Sequence, residues 1–110
     1  MTLIKAIVRP NMVDTVKKAL EQIGITGMTM TEVRGHGKQK GHMAVYRGQE
    51  YAVDLLPKIE IEVVVQDHVS DDVVKTIVQA ARTGEIGDGR VFVMPVERSY
   101  RIRTGEIDIA

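Results

Sequence analysis

The chain has 110 residues, 44% of them hydrophobic and only 4% aromatic, which predicts one folded domain with an aliphatic core rather than a disordered or multidomain chain. Fifteen basic side chains balance fifteen acidic ones, so no global field draws the protein to nucleic acid or an acidic membrane, and any anion site must be local. The chain has no cysteine, which removes disulfides and thiolate chemistry. With no signal-peptide pattern and no apolar run near the roughly 20 residues of a membrane span, the expectation is a cytoplasmic protein without membrane insertion.

Two half-length units follow one plan. Thr2 to Arg9 alternates, with Ile4, Ala6 and Val8 against Leu3, Lys5 and Ile7, and predicts a strand. Pro10 and Asn11 punctuate it. Met12, Val16, Ala19, Leu20 and Ile23 then recur at helical spacing, with Asn11 as the expected N-cap and Gly24 as the stop. Met28 to Arg34 alternates again and closes a βαβ unit. The second unit opens at Pro57, with Ile59, Ile61, Val63 and Val65 on one face of a strand and Lys58, Glu60, Glu62 and Val64 on the other. Ser70 is the expected cap of a helix whose buried stripe is Val73, Val74, Ile77, Val78 and Ala81. Thr83-Gly84 ends that helix, and Val91 to Val96 is a short apolar strand. The order β-α-β-β-α-β predicts an α+β, ferredoxin-like split βαβ fold over residues 1–110 as a single domain.

Between the units, residues 35–56 read GHGKQKGHMAVYRGQEYAVDLL. This is too long for a tight hairpin, and structureless loops of that length are usually functional or disordered. The stretch contains two of the three tyrosines, Tyr46 and Tyr51, and apolar residues besides. That favours a reaching loop that docks on something over a disordered insertion, and arms of ten residues would extend about 30 Å.

The turn Gly87-Asp88-Gly89-Arg90 precedes a strand, not the helix that glycine-rich phosphate loops normally open. Its glycines can adopt positive φ and leave backbone N–H groups uncovered as an anion-binding nest, although a plain helix-to-strand connection also uses glycines. Alternation in SYRIRTG places Arg101 and Arg103 on one face with Ile102 opposite. Paired guanidiniums suit phosphate oxygens, while a solvated edge strand would show the same pattern. Gly35-His36-Gly37-Lys38-Gln39-Lys40-Gly41 matches neither the Rossmann nor the P-loop spacing. It offers a flexible cradle in which Gln39 could give an oxygen to Mg²⁺. His36, His42 and His68 lack zinc spacing and read as surface residues. No spacing supports a nucleophilic triad or a carboxylate pair.

Taken together, YRGQEY (Tyr46–Tyr51), TGEIGDGRVFVMPV (Thr83–Val96), KQKGH, VDLLPK and RIRTGE resemble the PII nitrogen-regulatory signal-transduction family over nearly the whole chain. The resemblance implies a homotrimer of ferredoxin-like subunits with ATP or ADP in each intersubunit cleft, and 2-oxoglutarate joining Mg-ATP. Gly87, Asp88, Gly89 and Arg90 would hold phosphates, completed by Arg101, Arg103, Gly35, Gly37 and Lys38. Thr29, Glu62, Val64 and Thr83 would surround the adenosine. Gln39 would reach Mg²⁺, and 2-oxoglutarate would lie against Gln39, Gly41, Lys58 and Gly87, with Lys58 pairing its distal carboxylate. Residues 35–56 would be the effector loop and 97–110 a C-terminal segment. The implied targets are an ammonium transporter, which would recruit the protein to the membrane, or nitrogen-assimilation enzymes and regulators. Tyr51 matches the tyrosine that a nucleotidylyltransferase modifies in many bacterial members. Lys38 and Arg90 exchange the usual basic types, and Gln49 replaces a small residue that is a phosphorylated serine in cyanobacterial-type members.

Three other readings compete with this one. A nucleotide-hydrolysing or acylphosphatase-like enzyme would need an activated nucleophile, and none is visible, though slow ATP hydrolysis is compatible with the residues. An RNA-binding sheet would need stacking aromatics, and Phe92 is the single phenylalanine. A specialised PII-like nucleotide-binding regulator, without tyrosine modification or 2-oxoglutarate input, is the alternative within the family.

Overall fold

The computed structural model describes residues 1–35, 43–46, 49–52 and 56–109. Strand β1, Thr2–Val8, has a strict buried/half-buried alternation. Its inward residues Ile4, Ala6 and Val8 meet Val63, Ile61 and Ile59 of β5 (Leu56–Val65) and Val93, Val91 and Gly89 of β6 (Gly89–Pro95). On the far side of β5, β2 (Thr29–Gly35) pairs antiparallel with it. The four-stranded order is therefore β2-β5-β1-β6. β1 and β2 run the same way with β5 inserted between them, and β5 and β6 run the same way with β1 between them, which is the split arrangement expected of the ferredoxin-like plan.

Helices α1 (Val13–Gln22) and α2 (Asp67–Ala81) cover one face of this sheet. Val16 and Leu20 of α1 and Val73, Ile77 and Ala81 of α2 are buried against Ile4, Ala6, Val8, Ile61, Val63 and Val65. Each such aliphatic side chain contributes about 1.5–3 kcal/mol of transfer free energy, so this layer is where the stability lies. Among the described residues the other face carries no helix. There Val64, Leu3 and Met94 form a row across three strands, and Val64 and Phe92 are about half exposed.

Helix starts depart from expectation. Pro10–Met12 forms a single 3₁₀ turn, so Asn11 lies inside it, and Met12 takes the N-cap position of α1 without a side-chain bond. α2 begins at Asp67 rather than after Ser70, whose hydroxyl instead donates back to the Asp67 carbonyl at 2.9 Å. Asp67 is anchored from elsewhere by the Thr2 hydroxyl, which donates to its carboxylate at 2.6 Å. The stop at Gly24 is as expected. Its φ is 85°, and Ile25 N–H to Leu20 O with Gly24 N–H to Glu21 O closes α1 in a Schellman motif.

Within the long segment between β2 and β5, β3 (Met43–Tyr46) and β4 (Gln49–Ala52) pair antiparallel, with Tyr46 opposite Gln49 and Ala44 opposite Tyr51. A second small hairpin follows β6. It is made of β7 (Arg98–Tyr100) and β8 (Ile107–Ile109).

Candidate functional site

At the end of the sheet where β1 finishes, β2 finishes and β5 starts, the chain leaving α2 doubles back into β6. The connection, Arg82 to Asp88, is short and exposed, and three of its neighbouring glycines have positive φ: Gly84 at 90°, Gly87 at 101° and Gly89 at 105°. Gly89 has a second constraint. A Cβ there would fall 1.7 Å from the Ile7 carbonyl oxygen and 2.8 Å from its carbon, so only glycine lets the turn enter β6 beside β1.

Asp88 ties this turn together. One carboxylate oxygen accepts the backbone N–H groups of Thr83 and Gly84, each at 2.9 Å. The other accepts the Thr83 hydroxyl and the Arg9 Nε, the latter at 3.1 Å. The Thr83 hydroxyl bond, together with the Thr83 N–H, Arg9 and Gly84 bonds, holds the Asp88 carboxyl far below the usual carboxylate range, against an opposing push from partial burial. A carboxylate engaged in this way offers an anion nothing. What the turn can present to a phosphate is backbone N–H. Ile86 and Gly87 are the centre of a tight turn that directs the Asp88 N–H back towards Glu85, whereas among the described residues the Gly87 N–H has no backbone acceptor.

Two cations lie beneath the turn. Arg9 Nη2 donates to the Ile86 carbonyl at 2.9 Å, and Lys58 Nζ donates to the Gly87 carbonyl at 2.5 Å. Lys58 is buried on β5, with Gly35 at the end of β2 lying over its stem, since a Cβ on Gly35 would stand 3.5 Å from Lys58 Cγ. Burial, then the nearby Arg9 guanidinium, push the Lys58 pKa below that of an ordinary lysine, while Asp88 pulls the other way.

Of the residues singled out in the sequence, the fold thus brings together Gly35, Lys58, Thr83, Gly87, Asp88, Gly89 and Arg90. Thr29 and Glu62 are partners across β2 and β5, and Val64 lies two residues further along. They share the open face, but Glu62 is about 13 Å along the strand from Lys58 at the usual rise. Lys5 stands between Glu60 and Glu62 there, at 3.7 and 3.8 Å. Arg101 and Arg103 do not lie on an alternating strand. β7 ends at Tyr100, and Gly105 N–H to Arg101 O at 2.7 Å closes a turn over residues 101–105. Within it Arg101 pairs with Asp108 at 3.6 Å and Ile102 is fully exposed. Gly37, Lys38, Gln39 and Gly41 lie outside the described residues, as does the side chain of Tyr51. Among the described residues no group of three or more His, Asp or Glu side chains could hold a metal ion.

Sequence reasoning missed Arg9. It continues the outward register of Leu3, Lys5 and Ile7, so a cation on the open side at the strand's end was legible, but its partners are 77 and 79 residues away. The role of Thr83 in fixing Asp88 was missed for the opposite reason. The Thr-x-x-x-x-Asp spacing is local, and a turn-capping carboxylate could have been read from it.

Known proteins are similar to this chain in sequence. The sequence model of the family described as "Nitrogen regulatory protein P-II" matches residues 1–106. "Nitrogen regulatory protein P-II 1" of Escherichia coli K12 is 56% identical over 110 residues, covering all of this chain and 98% of that one. "Nitrogen regulatory protein P-II" of Klebsiella oxytoca matches to the same extent. The Haemophilus influenzae protein of that name is 55% identical over 106 residues, or 96% of this chain and 95% of its own. With the family model matching residues 1–106 and relatives more than half identical over nearly their whole length, the chain belongs to the P-II nitrogen regulatory protein family.

Proposed function

We propose that the protein is a P-II signal transducer that binds ATP or ADP and, with Mg-ATP, 2-oxoglutarate. It would pass the result to nitrogen-assimilation targets through the segment 35–56. The observation that carries the reading is the Thr83–Arg90 turn, whose backbone is fixed by the Asp88 carboxylate within it and by Arg9 and Lys58 outside it, leaving the Gly87 N–H beside Arg90. Such a turn suits phosphate oxygens, which accept from uncovered N–H groups and from a guanidinium. The adenosine would then run along the open face towards Thr29, Glu62 and Val64, and Gly37 and Lys38 would close over the phosphates. Mg²⁺ would be held by phosphate oxygens and Gln39, and it would offset phosphate charge and orient 2-oxoglutarate against Lys58, Gly87 and Gly41.

Arg101 and Arg103 belong to a hairpin whose polar bonds, among the described residues, stay within itself. The uncovered row Val64–Leu3–Met94 asks for a partner surface. Both features support a homotrimer in which one copy's hairpin completes its neighbour's site. The β3–β4 hairpin extends the loop towards a target such as an ammonium transporter or a nitrogen-assimilation enzyme, and Tyr51 on β4 would be the residue a nucleotidylyltransferase modifies. No helix among the described residues is long and apolar enough to cross a membrane. A cytoplasmic protein recruited by a transporter fits that. The role is regulatory, in keeping with the relatives' names, and ligands act by shifting the population of loop arrangements that targets can bind.

Calorimetric titration with ATP, then with 2-oxoglutarate in the presence and absence of Mg-ATP, tests this directly. The expected result is 2-oxoglutarate binding only with Mg-ATP. ATP binding without any response to 2-oxoglutarate would leave a nucleotide-only regulator, and binding of neither would remove the reading.

A further inference from the structure

Arg9 reaches the turn from the end of β1 and holds it at two points. Its guanidinium takes the Ile86 carbonyl with Nη2 and the Asp88 carboxylate with Nε. Lys58 takes the next carbonyl, that of Gly87. Every described peptide bond is trans, and in a trans peptide the C=O of one residue and the N–H of the next point to opposite sides. Drawing the Ile86 carbonyl onto Arg9 therefore turns the Gly87 N–H away from it. Drawing the Gly87 carbonyl onto Lys58 does the same for the Asp88 N–H, which points back towards Glu85. Two successive peptides can be set this way because Gly87 has φ 101°.

We propose that Arg9 is the positioning residue of the phosphate-binding turn, fixing the Ile86–Gly87 peptide plane so that the Gly87 N–H faces an incoming anion. The proposal rests on the nucleotide-site reading above. The role belongs to the shape of the guanidinium as well as its charge. A planar fork reaches a carbonyl and a carboxylate at once, whereas an ammonium is a point charge on a flexible stem. Arg9 acts on the anion through the backbone, because its guanidinium is taken up by the Ile86 carbonyl and the Asp88 carboxylate.

The test compares wild type with Arg9→Gln and Arg9→Lys, titrating each calorimetrically with ADP and with adenosine and following amide hydrogen exchange without ligand. Both variants should weaken ADP binding roughly 10- to 100-fold, leave adenosine within about twofold, and speed exchange at the Thr83 and Gly84 amides that Asp88 holds. A purely structural role would lower the melting temperature without separating ADP from adenosine, and that pattern overturns the proposal. Wild-type ADP affinity in Arg9→Lys overturns it too, because charge alone would then suffice, as does wild-type affinity in Arg9→Gln. If Arg9→Gln fails to fold, Arg9→Lys decides, and failure of both to fold overturns the role. Absence of ADP binding by the wild type removes the nucleotide reading itself, which is a different result from variants that match a binding wild type.

Discussion

Arg90 follows a turn held from below by the ends of two strands and from behind by the end of α2, whereas Arg101 and Arg103 sit in a turn whose bonds run to Glu106 and Asp108 of the same hairpin or its flank. Both regions were read from sequence as anion sites, and the fold builds them in opposite ways. Backbone N–H groups cannot swing towards a ligand, so a nest made of them has to be oriented before the ligand arrives. Arginines on long stems need only be within reach. The first region is therefore expensive to disturb and the second cheap, and that contrast can be broken or sharpened by substitution.

The largest effect should come at Gly89. An alanine Cβ there would meet the Ile7 carbonyl at 1.7 Å and the backbone would hold a φ that L-residues avoid. Gly89→Ala should thus cost about 3 kcal/mol or more in chemical denaturation. A change below about 0.5 kcal/mol would mean that the turn can move off β1, and the claim of a rigid nest would go with it.

Asp88→Asn comes next. The amide keeps the size but loses the charge that two N–H groups, a hydroxyl and Arg9 all address, and a loss of about 1 kcal/mol near neutral pH is expected, kept small by nearby solvent. Its sign with pH is fixed. The folded pKa is depressed, so the stabilisation is complete above the unfolded aspartate value of about 3.9 and disappears as pH falls from there through the depressed folded value. The difference between wild type and Asp88→Asn should hold steady at neutral and mildly acid pH and shrink below about pH 4. Asp67, depressed by the Thr2 hydroxyl and by the terminal amine, remains in both proteins and cancels. A difference that grows in acid would show that Asp88 does not hold the turn as a carboxylate.

What the sequence disclosed divides along the same line. Alternation in β1 and β5 and the stripe Val73, Ile77, Ala81 were legible because burial imposes a period on neighbours in the chain. The helix starts were misread at Asn11 and Ser70 because each position had a stronger local or distant claim. Pro10 favours a 3₁₀ turn, and Asp67 is fixed by Thr2 from 65 residues away. Arg9 was invisible as a site residue for that reason of distance. In SYRIRTG the alternation is real but the strand stops at Tyr100. Thr104 and Gly105, with the Thr104 hydroxyl accepting the Glu106 N–H and Gly105 at φ 72°, mark a turn that should have outweighed it.

The smallest effect on stability belongs to Arg101→Ala. Its pair with Asp108 spans 3.6 Å, with the two side chains 62% and 44% exposed, and exposed ion pairs of this kind contribute little because solvent and salt screen them. The denaturation midpoint should move by less than about 0.5 kcal/mol in free energy. ADP affinity should nonetheless fall roughly tenfold or more, the usual consequence of losing a charge-assisted contact to phosphate. Arg101 would then be a residue that the fold barely needs and the ligand does, the reverse of Gly89. Should Arg101→Ala destabilise the protein as much as Asp88→Asn, the hairpin would be a built part of the protomer, and the division between a preorganised turn and a reaching arm would fail. Should it change neither stability nor ADP affinity, the arm does not reach the phosphates, and the turn with Arg90 would have to hold them alone.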